Sequence, residues 1–299
     1  MSVPAGQEKG IGFKLGGVAT TKKLDVKGGF FQNQRYSIII MISKTKYLFT
    51  ALIFLLTVQG FSQEQKAGKP LEEMNVDLPD ETQETDLVDK GHWQLETGFL
   101  LNRYKNEPNS YITQGLLRYG ASKNIELKLL IEDGRGRDRY MQKTVQSTYP
   151  LALGTKILLV KDHPGLPDMT FVSFVKLPFT SQSSANKAYW SPIFLMAFQN
   201  KFGEKFKLEY NAGIQQEAYS SEWFWLVNAS LHYKIIEKLE IFTEYYAQYI
   251  NHEQPSHNLG GGIAYQLNNI LEFYLSTGST IYDEDQNHFF NGGVAFRLP

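Results

Sequence analysis

Phe206-Lys207-Leu208-Glu209-Tyr210-Asn211-Ala212-Gly213-Ile214-Gln215 is the stretch that decides the fold. Phe206, Leu208, Tyr210, Ala212 and Ile214 alternate with Lys207, Glu209, Asn211, Gly213 and Gln215. Successive side chains of a β-strand point to opposite faces, so this order gives one apolar face and one polar, charged face. A helix would scatter the same residues around its circumference. The length also carries information, because a tilted strand crosses a bilayer in roughly 9–11 residues.

The period of two runs outward from this segment, from His92 almost to the C-terminus. Trp93, Leu95, Thr97, Phe99 and Leu101 alternate with Gln94, Glu96, Gly98 and Asn102. Ile125, Leu127, Leu129 and Ile131 alternate with Glu126, Lys128 and Glu132, and Trp223 to Tyr233 and Leu239 to Tyr249 repeat the theme. Segments near 169–177, 189–199 and 270–277 are less regular. The count is about twelve strands. Tight junctions at 121–124, 200–204, 235–238 and 268–269 carry Asn, Lys and Gly, the residues of turns. Between them lie longer polar connections, notably 133–148 and 178–190. Short turns on one side and long loops on the other are the habit of a membrane barrel. The junction at 161–168 is longer than that habit wants and 217–221 is shorter.

Two all-β folds are compatible with alternation: a soluble β-sandwich, which buries its apolar face, and a transmembrane barrel, which turns that face to lipid. The 299 residues are 42% hydrophobic, an average that a barrel shares with soluble proteins because its strands never sum to a long apolar run. The aromatic share of 14% suits interfacial girdles. Strand length, strand number and an export signal favour an antiparallel transmembrane β-barrel over residues 92–299.

The export signal begins at Met41. Lys44 and Lys46 form a short positive region, Tyr47 to Val58 an apolar stretch of 12 residues, and Gly60 and Ser62 precede a cut at Gln63. Twelve residues are too few for a helical anchor, which takes about 20. Residues 41–62 are therefore expected to be a cleaved signal peptide, and 1–40 an untranslated gene-start artefact or a disordered segment. Residues 63–91 form an acidic periplasmic leader with few apolar residues and no core of its own.

Of 30 basic residues, 8 lie in 1–62, together with 2 of the 31 acidic ones. The remainder has 22 basic and 29 acidic residues, a net charge of −7. That balance argues against nucleic acid as a partner. With no cysteine, disulfides, thiolate nucleophiles, iron–sulfur clusters and a lipoprotein anchor are excluded. The partners expected are outer-membrane lipids, lipopolysaccharide and a small solute; no cofactor is expected.

The leader and first strand, Leu78 to Phe99, carry Asp80, Thr82, Thr85, the pair Lys90-Gly91 and then Trp93-Gln94-Leu95-Glu96. With Leu116-Leu117-Arg118-Tyr119-Gly120 and Glu244-Tyr245-Tyr246, this pattern resembles the outer-membrane transporter family named for the MetA pathway of phenol degradation. The resemblance covers roughly residues 78–299. It implies a transporter-like barrel of the Gram-negative outer membrane. It departs from the family at Leu78-Pro79-Asp80, where members often carry Arg-Pro-Asp.

If the alternation holds, the charged face turns inward. It then carries the lumen-lining candidates Glu96, Arg118, Glu126, Lys128, Lys156, Glu209, His232, Glu240, Glu244 and Arg297, together with Glu132 and Lys207. These charges either line an aqueous passage for small solutes or form salt-bridged packing with no passage. Channel-like passage is the leading expectation, and a closed structural or adhesion barrel working through 133–148 and 178–190 is one rival. The other is a phospholipase-like hydrolase, since Ser230 and His232 share a face at i and i+2. Six scattered histidines show no metal spacing. Gly260-Gly261-Gly262 lies within a strand, where it is expected to relieve crowding or bend the wall rather than cradle a phosphate. The acidic run Asp283-Glu284-Asp285 suits either a solvated loop or a bridge to a cation or lipopolysaccharide.

Overall fold

The computed structural model describes residues 74–79, 81–105, 109–138, 143–183, 187–220, 222–250, 254–282 and 287–298. The signal peptide expected at 41–62, the segment 1–40 and the run Asp283–Asp285 lie outside the described residues.

The strands in chain order are β1 (Trp93–Tyr104), β2 (Ser110–Gly120), β3 (Ile125–Asp138), β4 (Lys143–Thr148), β5 (Ala152–Val160), β6 (Asp168–Lys176) and β7 (Gln182–Ser183). They continue as β8 (Ser191–Phe202), β9 (Phe206–Gln216), β10 (Trp223–Ile236), β11 (Leu239–Ile250), β12 (Ser256–Asn268), β13 (Leu271–Tyr282) and β14 (Asn287–Leu298). Every pairing between them is antiparallel, and each wall strand lies beside its neighbour in sequence once β4 and β7 are set aside. β1 pairs with β14 from Trp93↔Leu298 to Tyr104↔Asn287 and with β2 on its other side. β2 also pairs with β3, which closes a ring of twelve strands. Closure leaves the wall with no open edge, the condition for holding a sheet in lipid.

The connection 133–148, expected as a loop, is instead mostly strand. Asp133–Asp138 prolongs β3 and pairs with β4, while the first part of β3, Ile125–Leu130, pairs with β5. β7, within 178–190, adds to β4 through Ser147↔Ser183 and Thr148↔Gln182. Backbone groups in a long connection need partners as much as those in the wall, and pairing supplies them.

Burial shows which face points where, and it inverts the order of a soluble protein. Among the largest fully buried side chains are Arg118, Lys156, Gln94, Glu96, Glu126 and Glu209. Apolar side chains face outward instead: Leu275 is 64% exposed, Trp225 59%, Leu127 50% and Leu231 43%. A sandwich in water would forfeit about 25 cal/mol for each Å² of that surface. The arrangement suits lipid outside and a polar interior, so the fold is an antiparallel transmembrane β-barrel of twelve strands.

Aromatic pairs mark the rims. Trp93 and Tyr119 (ring centroids 4.4 Å apart) and Phe206 and Tyr233 (4.7 Å) lie at the end where the barrel begins and finishes. Trp223 and Tyr249 lie towards the opposite end. The turns at 121–124, 161–167, 203–205, 237–238 and 269–270 share the first end. There Gly203 takes a positive φ of 69°, and Asn268 Oδ1 accepts from the N–H groups of Ile270 (2.9 Å) and Leu271 (3.0 Å).

The irregular segments at 169–177 and 189–199 are β6 and β8. Their inward face is apolar too: Val172, Leu195 and Ala197 are buried together, with Phe174, Ile193 and Leu226 packed on them. Apolar residues on both faces erase the alternation that marks the other strands.

Candidate functional site

The lumen is occupied by the chain's own leader. Residues 74–79 and 81–91 run through the interior beside inward side chains of nearly every part of the wall, and then turn into β1. Gly91 makes that turn with φ of 85°, a left-handed conformation that glycine adopts without strain. Its N–H donates to Gly120 O (2.7 Å), and Gly120 N donates to His92 O (3.1 Å). At Gly120 itself a Cβ would collide with the backbone oxygens of Val88 and Asp89, so the leader approaches the wall only because no side chain stands there.

On one side of the lumen Asp77 is the hub. Its carboxylate accepts from Lys128 Nζ (2.6 Å) and Lys156 Nζ (2.8 Å), and the Arg118 guanidinium lies 3.4 Å away. Arg118 also donates to Glu126 (2.7 Å) and Glu96 (2.8 Å), and to the carbonyl of Asn75 (2.9 Å). Glu96 in turn accepts from the N–H groups of Asp77 (2.9 Å) and Leu78 (3.0 Å), and Glu126 accepts from Val88 N (2.8 Å). The wall alone presents three cations to two carboxylates here, and Asp77 brings the third. Burial opposes its ionisation, but Arg118, Lys128 and Lys156 together hold its carboxyl well below the usual range.

Around the rest of the lumen the anchors are polar groups that read the leader's backbone. Glu244 accepts from Glu81 N (3.0 Å) and Thr82 Oγ1 (2.6 Å). Asn211 closes a reciprocal pair with Gln83, accepting from its N–H (2.6 Å) and donating to its carbonyl (3.0 Å). Asn228 donates to Glu81 O (2.8 Å), Ser276 to Pro79 O (2.8 Å), Asn291 to Leu78 O (2.9 Å) and Thr170 to Thr85 O (2.7 Å). A leader without secondary structure has unpaired backbone groups, and these side chains satisfy them.

A third cluster stands nearer the short-turn end, beside a cavity of about 310 Å³. Lys207 Nζ meets Glu84 (3.0 Å) and Glu209 (3.1 Å). His232 lies between Glu209 (3.2 Å from Nε2) and Glu240 (2.7 Å from Nδ1). Burial drives the Glu84 carboxyl up, Lys207 pulls against that and Glu209 adds to it, and the net position is about 8.

Nine of the ten lumen-lining candidates from the sequence are almost wholly buried within the ring, and Glu240 is partly so. Seven of them contact the leader directly: Glu96, Arg118, Glu126, Lys128, Lys156, Glu244 and Arg297. Glu209, His232 and Glu240 form the third cluster, and Arg297 lies 3.9 Å from Asp89. Sequence reasoning missed the leader's own Asp77, Glu84 and Asp86, and the neutral readers Asn211, Asn228, Ser276 and Asn291. The acidic composition of the leader was the available signal, facing inward cations in the wall. Ser230 Oγ donates to Thr243 O (3.4 Å), and both ring nitrogens of His232 face carboxylates. Among the described residues no cluster of three His, Asp or Glu side chains is disposed to hold a metal.

Most of the described leader, the wall and the Lys90-Gly91 turn lie within one match to a known family. The model of the family "Putative MetA-pathway of phenol degradation" covers residues 76–298. The chain belongs to this family. Among solved structures, the COG4313 outer-membrane channel from Pseudomonas putida F1 is similar, with a TM-score of 0.55 at 11% identity, over 72% of this chain and 98% of that one. The NanC porin aligns with a TM-score of 0.49 at 10% identity, over 68% of this chain and 100% of that one. The CymD monoaromatic hydrocarbon channel aligns with a TM-score of 0.37 at 7% identity, over 69% and 87%. The first of these supports the outer-membrane barrel fold. No curated protein matches the chain.

Proposed function

We propose that this member of the family is an outer-membrane channel for small solutes, exported by the signal at 41–62, with the barrel interior as the path. The observation that carries the reading is the character of the lumen. Its inner wall is lined with charged and amide side chains, and much of what fills it is a separable segment, residues 74–79 and 81–91, held by hydrogen bonds and ion pairs. A barrel closed for structural purposes needs only its own side chains, whereas a leader attached at one end leaves a lumen that can open.

The ten candidates divide by role on this reading. Arg118, Lys128, Lys156, Glu96, Glu126 and Glu244 hold the leader, and Glu209, His232, Glu240 and Arg297 line the end that opens towards the short turns. The partners are a small solute inside and outer-membrane lipid and lipopolysaccharide outside. The hydrolase reading lacks support, because His232 is committed to Glu209 and Glu240 rather than to Ser230.

The test is conductance. The chain starting at Gln63, reconstituted in a planar bilayer, should give discrete steps whose cation/anion preference moves on charge reversal at Glu244. Folded, heat-modifiable protein that passes no current would overturn the proposal in favour of a closed barrel.

A further inference from the structure

Every hydrogen-bond acceptor of Lys128 and Lys156, among the described residues, belongs to the leader. Lys128 donates to Asp77 and to Gln83 Oε1 (2.7 Å); Lys156 donates to both oxygens of Asp77 and to Asp86 O (3.3 Å). Among the described residues, the wall offers these two buried ammonium groups no hydrogen-bond acceptor of its own. Its carboxylates at Glu96 and Glu126 are instead committed to Arg118. An unpaired charge is costly to bury, so whenever the leader moves the pair must be met by another anion or by water.

The surroundings narrow the chemistry of that anion. Lys128 Nζ stands 5.0 Å from the centre of the Phe174 ring. In the strand register Lys156 lies opposite Val172, and Val172 opposite Leu195. The cations therefore border the inward apolar patch of Val172, Leu195, Phe174, Ile193 and Leu226. A head site for one carboxylate beside an apolar patch matches an amphiphilic acid better than an inorganic anion or a sugar.

We infer that Lys128 and Lys156 form a binding site for an organic carboxylate with an apolar body, and that Asp77 of the leader occupies this site as an internal stand-in. The inference rests on the reading of the lumen as a solute path and names the solute class. An arriving carboxylate replaces Asp77 with no change in the charge of the site, so the exchange leaves no buried ammonium unpaired. The solute and the leader then compete for one position, and binding the first loosens the second.

The experiment is equilibrium titration of hexanoate into folded barrels in detergent, with n-hexanol as the uncharged control and heat modifiability as the check on folding. Asp77→Asn should bind hexanoate about tenfold or more tighter than the wild type and than D77N/K128Q/K156Q, the factor carried by charge-assisted hydrogen bonds. Equal binding by D77N and the triple variant would overturn the inference, as would hexanol binding as well as hexanoate. Should D77N not fold, a single thiol at Thr85→Cys serves instead, in a chain that has no other cysteine. Hexanoate should then speed thiol labelling in the otherwise wild-type barrel and not in K128Q/K156Q, and equal acceleration in both overturns the site. Conductance is read separately. A barrel that binds hexanoate but carries no current keeps the site and loses the passage, and a conducting barrel whose D77N form does not bind loses the site alone.

Discussion

Replacing Arg118 with Met tests whether the buried charges of the lumen act as one balanced set. The guanidinium is fully buried and is the cation hydrogen-bonded to both Glu96 and Glu126. Methionine keeps much of the volume and leaves both carboxylates buried without that partner. Breaking a buried pair by removing one member costs about 3–5 kcal/mol, most of it the penalty of the charge left behind. Guanidinium unfolding in lipid micelles, followed by fluorescence of the outward tryptophans, should therefore show R118M less stable by about that amount. The cause predicts a rescue: R118M/E96Q/E126Q, with the orphaned charges neutralised, should recover at least about half of the loss. A loss under about 1 kcal/mol, within the range of an ordinary surface substitution, would refute the reasoning. So would a triple variant no more stable than the single one.

Two further outcomes follow from the wall and the leader. Leu231→Arg places a charge on the outward apolar band and should cost about 2–4 kcal/mol in a micelle or bilayer titration, since lipid solvates it poorly near the midplane; an unchanged midpoint would count against lipid on that face. The leader's hold should depend on pH, read by labelling of Thr85→Cys. Asp77 is depressed when docked, so its contribution is present above its released value and fades as pH falls below it. Glu84, which faces Lys207, Glu209 and His232, is raised from 4.5 to about 8, so its contribution is present below 4.5 and is lost as pH climbs towards 8. Labelling should be slowest in mild acid and rise to a plateau above about 8, and Glu84→Gln should flatten that rise. A rate indifferent to pH across this interval would remove Glu84 from the account.

Which residues share a face was legible without any structure, because the period of a strand is local. Once Trp93 to Leu101 or Phe206 to Gln215 is a strand, alternation alone assigns Glu96 and Glu209 to the polar side. Alternation fades where both faces are apolar, as at Val172 and Leu195, and polar composition hides the strand where β3 is prolonged over Asp133–Asp138. Alternation cannot say which face meets water, since a sandwich and a barrel share it. Closure of β1 on β14 and burial of Arg118 with exposure of Leu275 separated them.

The sequence by itself determined the all-β class, a count of about twelve strands, the two faces of the wall and the acidic character of the leader. These follow from neighbour-to-neighbour alternation and from composition. Only the tertiary structure decided that the leader lies inside the barrel and that Asp77 completes the set of Arg118, Lys128 and Lys156. The leader has no period to read, and its partners stand far away in sequence: Glu81 meets Glu244 across 163 positions, and Asn291 meets Leu78 across 213. Such contacts are selected by the need to pair every buried charge and backbone group within a closed wall, a condition that exists only once the ring has formed.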